Sequence, residues 1–388
     1  MKGPSAEPYP VTRRQLLERA GAAGILLASA GLFDGLAGAA GAAVDPDRLV
    51  DTLTFSNWTL YIDIDEKTKR RPTLDQFTKR YGTKVKYIED INDNATFVGK
   101  ISQQLSRGKS TGRDLIVLTD NSPYPSLLAR RGWLEKLDKS VLPNLKNLLP
   151  SFRNPAWDPK QEYSLPWQSG MTGIITNLKL SKPITSVDRL LTDPKLKGKM
   201  TMLTEMADSL GLVMLSNGDD PGKVDDAAFD RAYAKLEKAV KSGHIRKFTG
   251  NDYSGPLAKG DLIAAVGWSG DSVQLQSSNK NLRWAIPKDG GMRWTDHMLI
   301  PKGGDAYTAS VFMNFVYDPK IAAQIEAYVN YVCPVVGADK VLLKSDPAIA
   351  RNQLIFPSKA MQARLHAFDP EALQNREYRE RWNKLLGA

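Results

Sequence analysis

Asp114-Leu115-Ile116-Val117-Leu118-Thr119 places four consecutive aliphatic residues between an acid and a threonine. A short, unbroken apolar run of this kind reads as a strand buried on both faces, the signature of a parallel sheet covered by helices. Working outward, Leu53 to Trp58 reads as a strand and Pro72 to Tyr81 as the helix after it. Lys84 to Ile88 alternates as a second strand, and Asn94 to Leu105 is helical, with Phe97, Ile101 and Leu105 on one stripe. Strand and helix alternating at this spacing predict an α/β fold.

The rhythm continues beyond Thr119 with a short helix that stops at Gly132. Residues 138–164 are rich in Pro and Asn and predict a crossing between lobes. Strands restart over Gly170 to Asn177 and Lys199 to Leu203. Asp226 to Lys241 is an amphipathic helix, and Asp261 to Trp268 is a further buried strand. Asn281 to Pro287 and Thr295 to Pro301 read as a strand pair. Tyr307 to Tyr331 is mostly helical, and the tail from Pro370 to Leu386 ends as a helix.

The first 43 residues read as an export signal. Arg13 and Arg14 form a twin arginine ahead of the apolar run Ala20 to Phe33, and the small-residue tract Leu36 to Ala43 offers Ala-x-Ala cleavage sites. The apolar run is shorter than the roughly 20 residues a membrane-spanning helix needs. No cysteine lies near the tract, so a lipid anchor is not expected, and the chain is expected in the periplasm, the cell envelope or the medium. The 388 residues carry 53 Lys and Arg against 43 Asp and Glu, a net charge of +10, and the signal accounts for one of those charges. A mean hydropathy of −0.35 excludes a polytopic membrane protein. Cys333 is the single cysteine, which excludes a disulfide framework, a thiolate zinc site and an iron–sulfur cluster. His244, His297 and His366 are too far apart in sequence to form a local ligand pair, so neither a metal nor a cofactor is expected.

Three motifs fail on geometry. Gly108-Lys109-Ser110-Thr111 resembles the end of a phosphate-binding loop, but position 103 is Gln103 and the segment follows a helix. Gly267-Trp268-Ser269-Gly270-Asp271 resembles a nucleophile elbow whose closing glycine is displaced by one position. Lys67 to Arg71 is basic but has no interleaved aromatic residues, so nucleic acid is not an expected partner.

The informative pattern is the placement of tryptophans. Trp58, Trp268 and Trp294 fall at or just past the ends of extended segments, where ligands of open α/β sheets bind. Asp271 follows Trp268, Asp296 follows Trp294, and Tyr61 and Asp63 follow Trp58. Glu205 and Asp208 lie three apart at a strand-to-helix junction. An indole face gives an alkylammonium about 0.5–2 kcal/mol, and a carboxylate adds a charge-assisted hydrogen bond. Several such units suit a flexible polycation. The bland alternative is half-buried core tryptophans with helix-capping acids.

The chain resembles the spermidine/putrescine-binding subunits of polyamine ABC transporters. The resemblance rests on Asn57-Trp58-Thr59-x-Tyr61, Asp114 to Val117, Gly132-Trp133-Leu134, Tyr163 to Trp167, Gly267 to Gly270 and Pro287-Lys288-x-Gly290-Gly291-x-x-Trp294-x-Asp296. It implies a two-lobed type II periplasmic-binding-protein fold, each lobe a mixed sheet flanked by helices, with the ligand cleft between lobes. The lobes would be 48–164 with 295–344, and 165–294 with 345–388. By position, Trp58, Thr59 and Tyr61 would line one wall. Thr119 or Asp120 would sit at the third strand's end, and Trp268, Trp294, Asp296 and Tyr331 would complete the box. The family's Thr-Asp-Asp-x-x-Glu is not kept: Met206 and Ser209 replace its two anchoring acids, and Glu205 and Asp208 sit one position earlier, with Asp271 an additional acid. Either the local backbone turns so that Glu205 and Asp208 serve, or the ligand differs. The expected protein is a monomeric, non-catalytic carrier that closes on a polyamine or related cationic molecule and delivers it to an ABC permease. The alternative is an exported lyase or glycosidase using Glu205, Asp208, Asp271 and Asp296.

Overall fold

The computed structural model describes residues 44–65, 67–91 and 94–387. The export-signal reading of residues 1–43 lies outside them. In chain order the elements are β1 (Thr52–Trp58), α1 (Pro72–Tyr81), β2 (Lys84–Ile91), α2 (Asn94–Ser106), β3 (Leu115–Thr119), α3 (Tyr124–Arg130), β4 (Ser164–Asn177), α4 (Val187–Thr192), β5 (Met200–Leu203) and α5 (Met206–Asn217). They continue with α6 (Asp226–Lys241), β6 (Ile245–Thr249), α7 (Ser254–Lys259), β7 (Ala264–Trp268), α8 (Ser269–Ser278), β8 (Leu282–Ala285), β9 (Gly291–Leu299), α9 (Ala306–Val316), α10 (Pro319–Val329), α11 (Ala338–Ser345), β10 (Leu365–His366) and α12 (Arg376–Leu386). Among the described residues no helix is long and apolar enough to cross a membrane.

The chain divides into two compact units. One comprises residues 44–171 with Arg293–Asn375, the other Thr172–Met292 with 376–387. In the first, β1 pairs in parallel with β2 and β3, and β3 pairs antiparallel with β9. The helices α1 and α2 make the crossovers that parallel neighbours require. Every residue of β3 is buried, as its unbroken apolar run predicts. On one face Phe97, Ile101 and Leu105 of α2 pack with Ile116 and Leu118 of β3. The helix runs Asn94–Ser106, one residue past the expected end.

In the second unit β4 pairs antiparallel with β7 and β8, while β5 pairs in parallel with β6 and β7. The helix α6 carries Phe229, Ala232, Tyr233 and Leu236 on its buried side. Against it lies α12, with Tyr378 stacked on Phe229 at a centroid distance of 4.0 Å.

Three readings are corrected. The crossing expected over 138–164 is not made there: that stretch stays in the first unit, burying Val141, Leu142 and Leu148, and the chain passes over inside β4. β8 and β9 are not partners, because β8 pairs with β4 and β9 with β3. Apolar alternation marks a strand but not its neighbour. Residues 345–375 lie in the first unit, where the Gln374 amide reaches the Ser126 hydroxyl at 3.4 Å and Ile355 O accepts from Cys333 N at 3.1 Å.

Candidate functional site: two acid and aromatic clusters

Sheet register assembles each cluster. In the first unit Thr119, the last residue of β3, lies opposite Asp296 on β9. The Thr119 hydroxyl donates to Asp296 Oδ1 at 2.6 Å, and the Tyr61 hydroxyl donates to Oδ2 at 2.5 Å. Two residues before Asp296 on the same strand face, Trp294 packs on Tyr331 at 5.6 Å, and Tyr331 meets Tyr61 edge-on at 5.6 Å. Tyr61 is held from behind by Trp167, whose Nε1 donates to Tyr61 O at 3.2 Å.

Asp296, Trp294, Tyr61 and Tyr331 are all buried. Burial pushes the Asp296 carboxyl up to about 6: the two hydroxyl bonds oppose the rise and nearby Asp120 adds to it. A carboxylate accepting two hydroxyls keeps further acceptor positions. An ammonium group is the partner that would both fill them and balance the buried charge.

Asp120 does different work. Its Oδ1 accepts from Thr295 N at 2.7 Å and its Oδ2 lies 3.3 Å from His297 Nε2, so it fastens the end of β3 to β9. Of the pair Thr119 or Asp120, the geometry gives the contact with Asp296 to Thr119. Trp58 packs on the apolar cluster of Ile91, Phe97 and Leu118, and its Nε1 is buried with no hydrogen-bond partner among the described residues. Thr59 is exposed in the turn that follows.

In the second unit Thr172 on β4 lies opposite Trp268 on β7. Asp208, 1% exposed in the first turn of α5, accepts from the Thr172 hydroxyl at 2.8 Å and from Trp268 Nε1 at 3.0 Å. Ser209 is buried, accepts from Leu203 N at 2.9 Å and donates to Leu203 O at 2.7 Å, locking the β5–α5 junction. Met206 is buried, and Glu205 is half-buried at the N-cap position, where its carboxylate accepts from the Thr204 hydroxyl at 3.0 Å.

Asp271, in the first turn of α8, accepts from Asn251 Nδ2 at 2.7 Å and the Tyr253 hydroxyl at 2.9 Å. Tyr253 in turn accepts from Trp268 N at 3.1 Å. A helix N-terminus also favours a carboxylate there.

The structure thus brings Tyr61, Thr119, Trp294, Asp296 and Tyr331 together in one unit, and Asp208, Trp268 and Asp271 in the other. Sequence reasoning missed Thr172, Asn251 and Tyr253, whose partners lie 18 to 36 residues away along the chain. Gly170 carried a readable signal, since glycine inside a strand marks a close approach. A Cβ there would lie 2.1 Å from Trp294 Cζ2. Among the described residues no three His, Cys, Asp or Glu are grouped to hold a metal ion.

Residues 73–351 match the family described as bacterial extracellular solute-binding protein. The chain is 30% identical to the putrescine-binding periplasmic protein SpuD of Pseudomonas aeruginosa, covering 95% of this chain and 99% of that one. It is 26% identical to the spermidine/putrescine-binding periplasmic protein of Escherichia coli, over 87% and 88% of the two lengths. Among solved structures it is similar to a putative spermidine/putrescine ABC transporter from Listeria monocytogenes, with a TM-score of 0.72 and 29% identity over 87% of this chain and 98% of that one. The Tp0655 lipoprotein of Treponema pallidum shares the fold, with a TM-score of 0.73 at 23% identity.

Proposed function

Because the chain belongs to the bacterial extracellular solute-binding protein family, we propose that it captures a polyamine of the spermidine or putrescine type and delivers it to the permease of an ABC importer. The observation that carries this reading is Asp296, a buried carboxylate with acceptor positions left over, set beside the rings of Trp294, Tyr331 and Tyr61. That is the environment a primary ammonium needs to leave water. The second unit supplies Asp208 with Trp268, and Asp271 beside them. On this reading Asp208 takes the role of the acids absent at Met206 and Ser209.

The relatives whose names describe binding proteins support a carrier without catalytic activity, and the enzyme alternative draws no support from them. Export by the twin-arginine route, the absence of a lipid anchor and a monomeric state belong to the same proposal. Thermal unfolding with spermidine, putrescine and an uncharged diol of equal length tests it. The amines are expected to raise the melting temperature in proportion to RT ln(1 + [L]/Kd), and the diol to leave it unchanged. No shift with any polyamine at millimolar concentration rejects the ligand class.

A further inference from the structure

A second buried carboxyl lies on the helix that leads into Tyr331. Glu326 on α10 is 1% exposed, and its Oε2 has no hydrogen-bond partner among the described residues. The Gln168 side chain of β4 hydrogen-bonds to the same carboxyl, and the Cys333 thiol lies against it. Gln168 Oε1 is likewise buried and unpartnered among the described residues. A small cavity, with room for about one water molecule, opens beside these groups between Trp167, Val316, Ile325 and Val335.

What this carboxyl holds is the segment that carries Tyr331. After α10 ends at Asn330 in the left-handed region, Val332 and Ser169 exchange both backbone hydrogen bonds, at 2.8 and 3.0 Å. Tyr331 is thereby set between Tyr61 and Trp294. Glu326 reaches the residue beside that bridge on each strand, Gln168 on one and Cys333 on the other.

We propose that Glu326 is the positioning residue of the Tyr331 wall, and that it works as a neutral acid accepting from Gln168. The proposal rests on the ligand reading above only for its binding readout. Burial pushes this carboxyl up to about 8, with the Gln168 and Cys333 bonds opposing the rise. The groups that face it are Gln168 from β4, Cys333 from the bridge segment and Tyr317 from the end of α9, with Asp339 of α11 acting on Cys333. Burial holds Cys333 and Tyr317 well above their usual values. Among the described residues no Lys or Arg lines the cavity. Glu326 is therefore the group that ionises as the pH rises through 8, and a charge there meets no cation among the described residues.

The test compares wild type, Glu326→Gln and Glu326→Ala from pH 7 to pH 9.5. Near-ultraviolet circular dichroism without ligand reads the packing of Tyr331 against Trp294, and calorimetry reads spermidine binding. Gln keeps a neutral donor and acceptor, so Glu326→Gln is expected to hold its aromatic signal at every pH. Wild type is expected to lose it with a midpoint near 8. Relative to Glu326→Gln, wild type is expected to lose affinity by roughly five- to tenfold over this range, the worth of one well-placed ring. Glu326→Ala is expected to bind about tenfold more weakly than wild type at pH 7. Parallel pH profiles for wild type and Glu326→Gln in the ligand-free spectra overturn the proposal. A wild type that binds no polyamine at any pH rejects the ligand reading, and the spectra still decide the role of Glu326.

Discussion

Asp296 is asked to be two things at once, a folded residue and a counter-charge. Its carboxyl is raised in the folded state, so the folded protein holds a proton there more firmly than the unfolded chain does. The resulting loss of stability is absent below about pH 4, grows as pH rises, and is complete above about 6. This amounts to on the order of 2–3 kcal/mol in the ligand-free protein. Asp296→Asn is therefore expected to melt higher than wild type at pH 7.5 without ligand and to show no shift with spermidine. A lower melting point would mean that the carboxylate is already balanced within the protein. Spermidine affinity in wild type is expected to fall as pH drops below 6, as measured by calorimetry, because the protonated acid no longer attracts an ammonium.

At the scale of elements, the sequence announced strands and helices clearly and their partners poorly. The β3 run, the α2 stripe and the α6 face were all readable, because burial dictates apolar periodicity. Trp294 and Asp296 were readable as a pair, since residues two apart share a strand face. Asp208 with Trp268 was not, because 60 residues separate them and only the β4–β7 register brings Thr172 and Trp268 into line. Ser209 was read simply as a missing acid, and only its bonds to Leu203 show what it does. Ser209→Ala is expected to lower stability by about 1–3 kcal/mol in urea titrations, since it strands the buried Leu203 N–H. Gly170→Ala is expected to cost at least as much and to weaken binding, because a methyl group at 2.1 Å must displace the Trp294 indole.

Across the whole molecule, charge and affinity part company. A net charge of +10 repels a polycation at long range, so affinity has to come from buried carboxylates that salt screens weakly. The amphipathic tail has a structural duty as well: Trp382 on α12 donates from Nε1 to Thr204 O at 2.8 Å, one residue before Glu205. Removing residues 376–388 also takes Tyr378 from Phe229. It is expected to lower the melting temperature by several degrees and to weaken binding, as read by calorimetry on the truncated chain.

Cys333 has a consequence of its own. The chain's lone sulfhydryl is sealed at 1% exposure in the same wall as Tyr331. Alkylating reagents therefore reach it only during transient local opening, and their rate of attack becomes a clock for how often that part of the protein breathes.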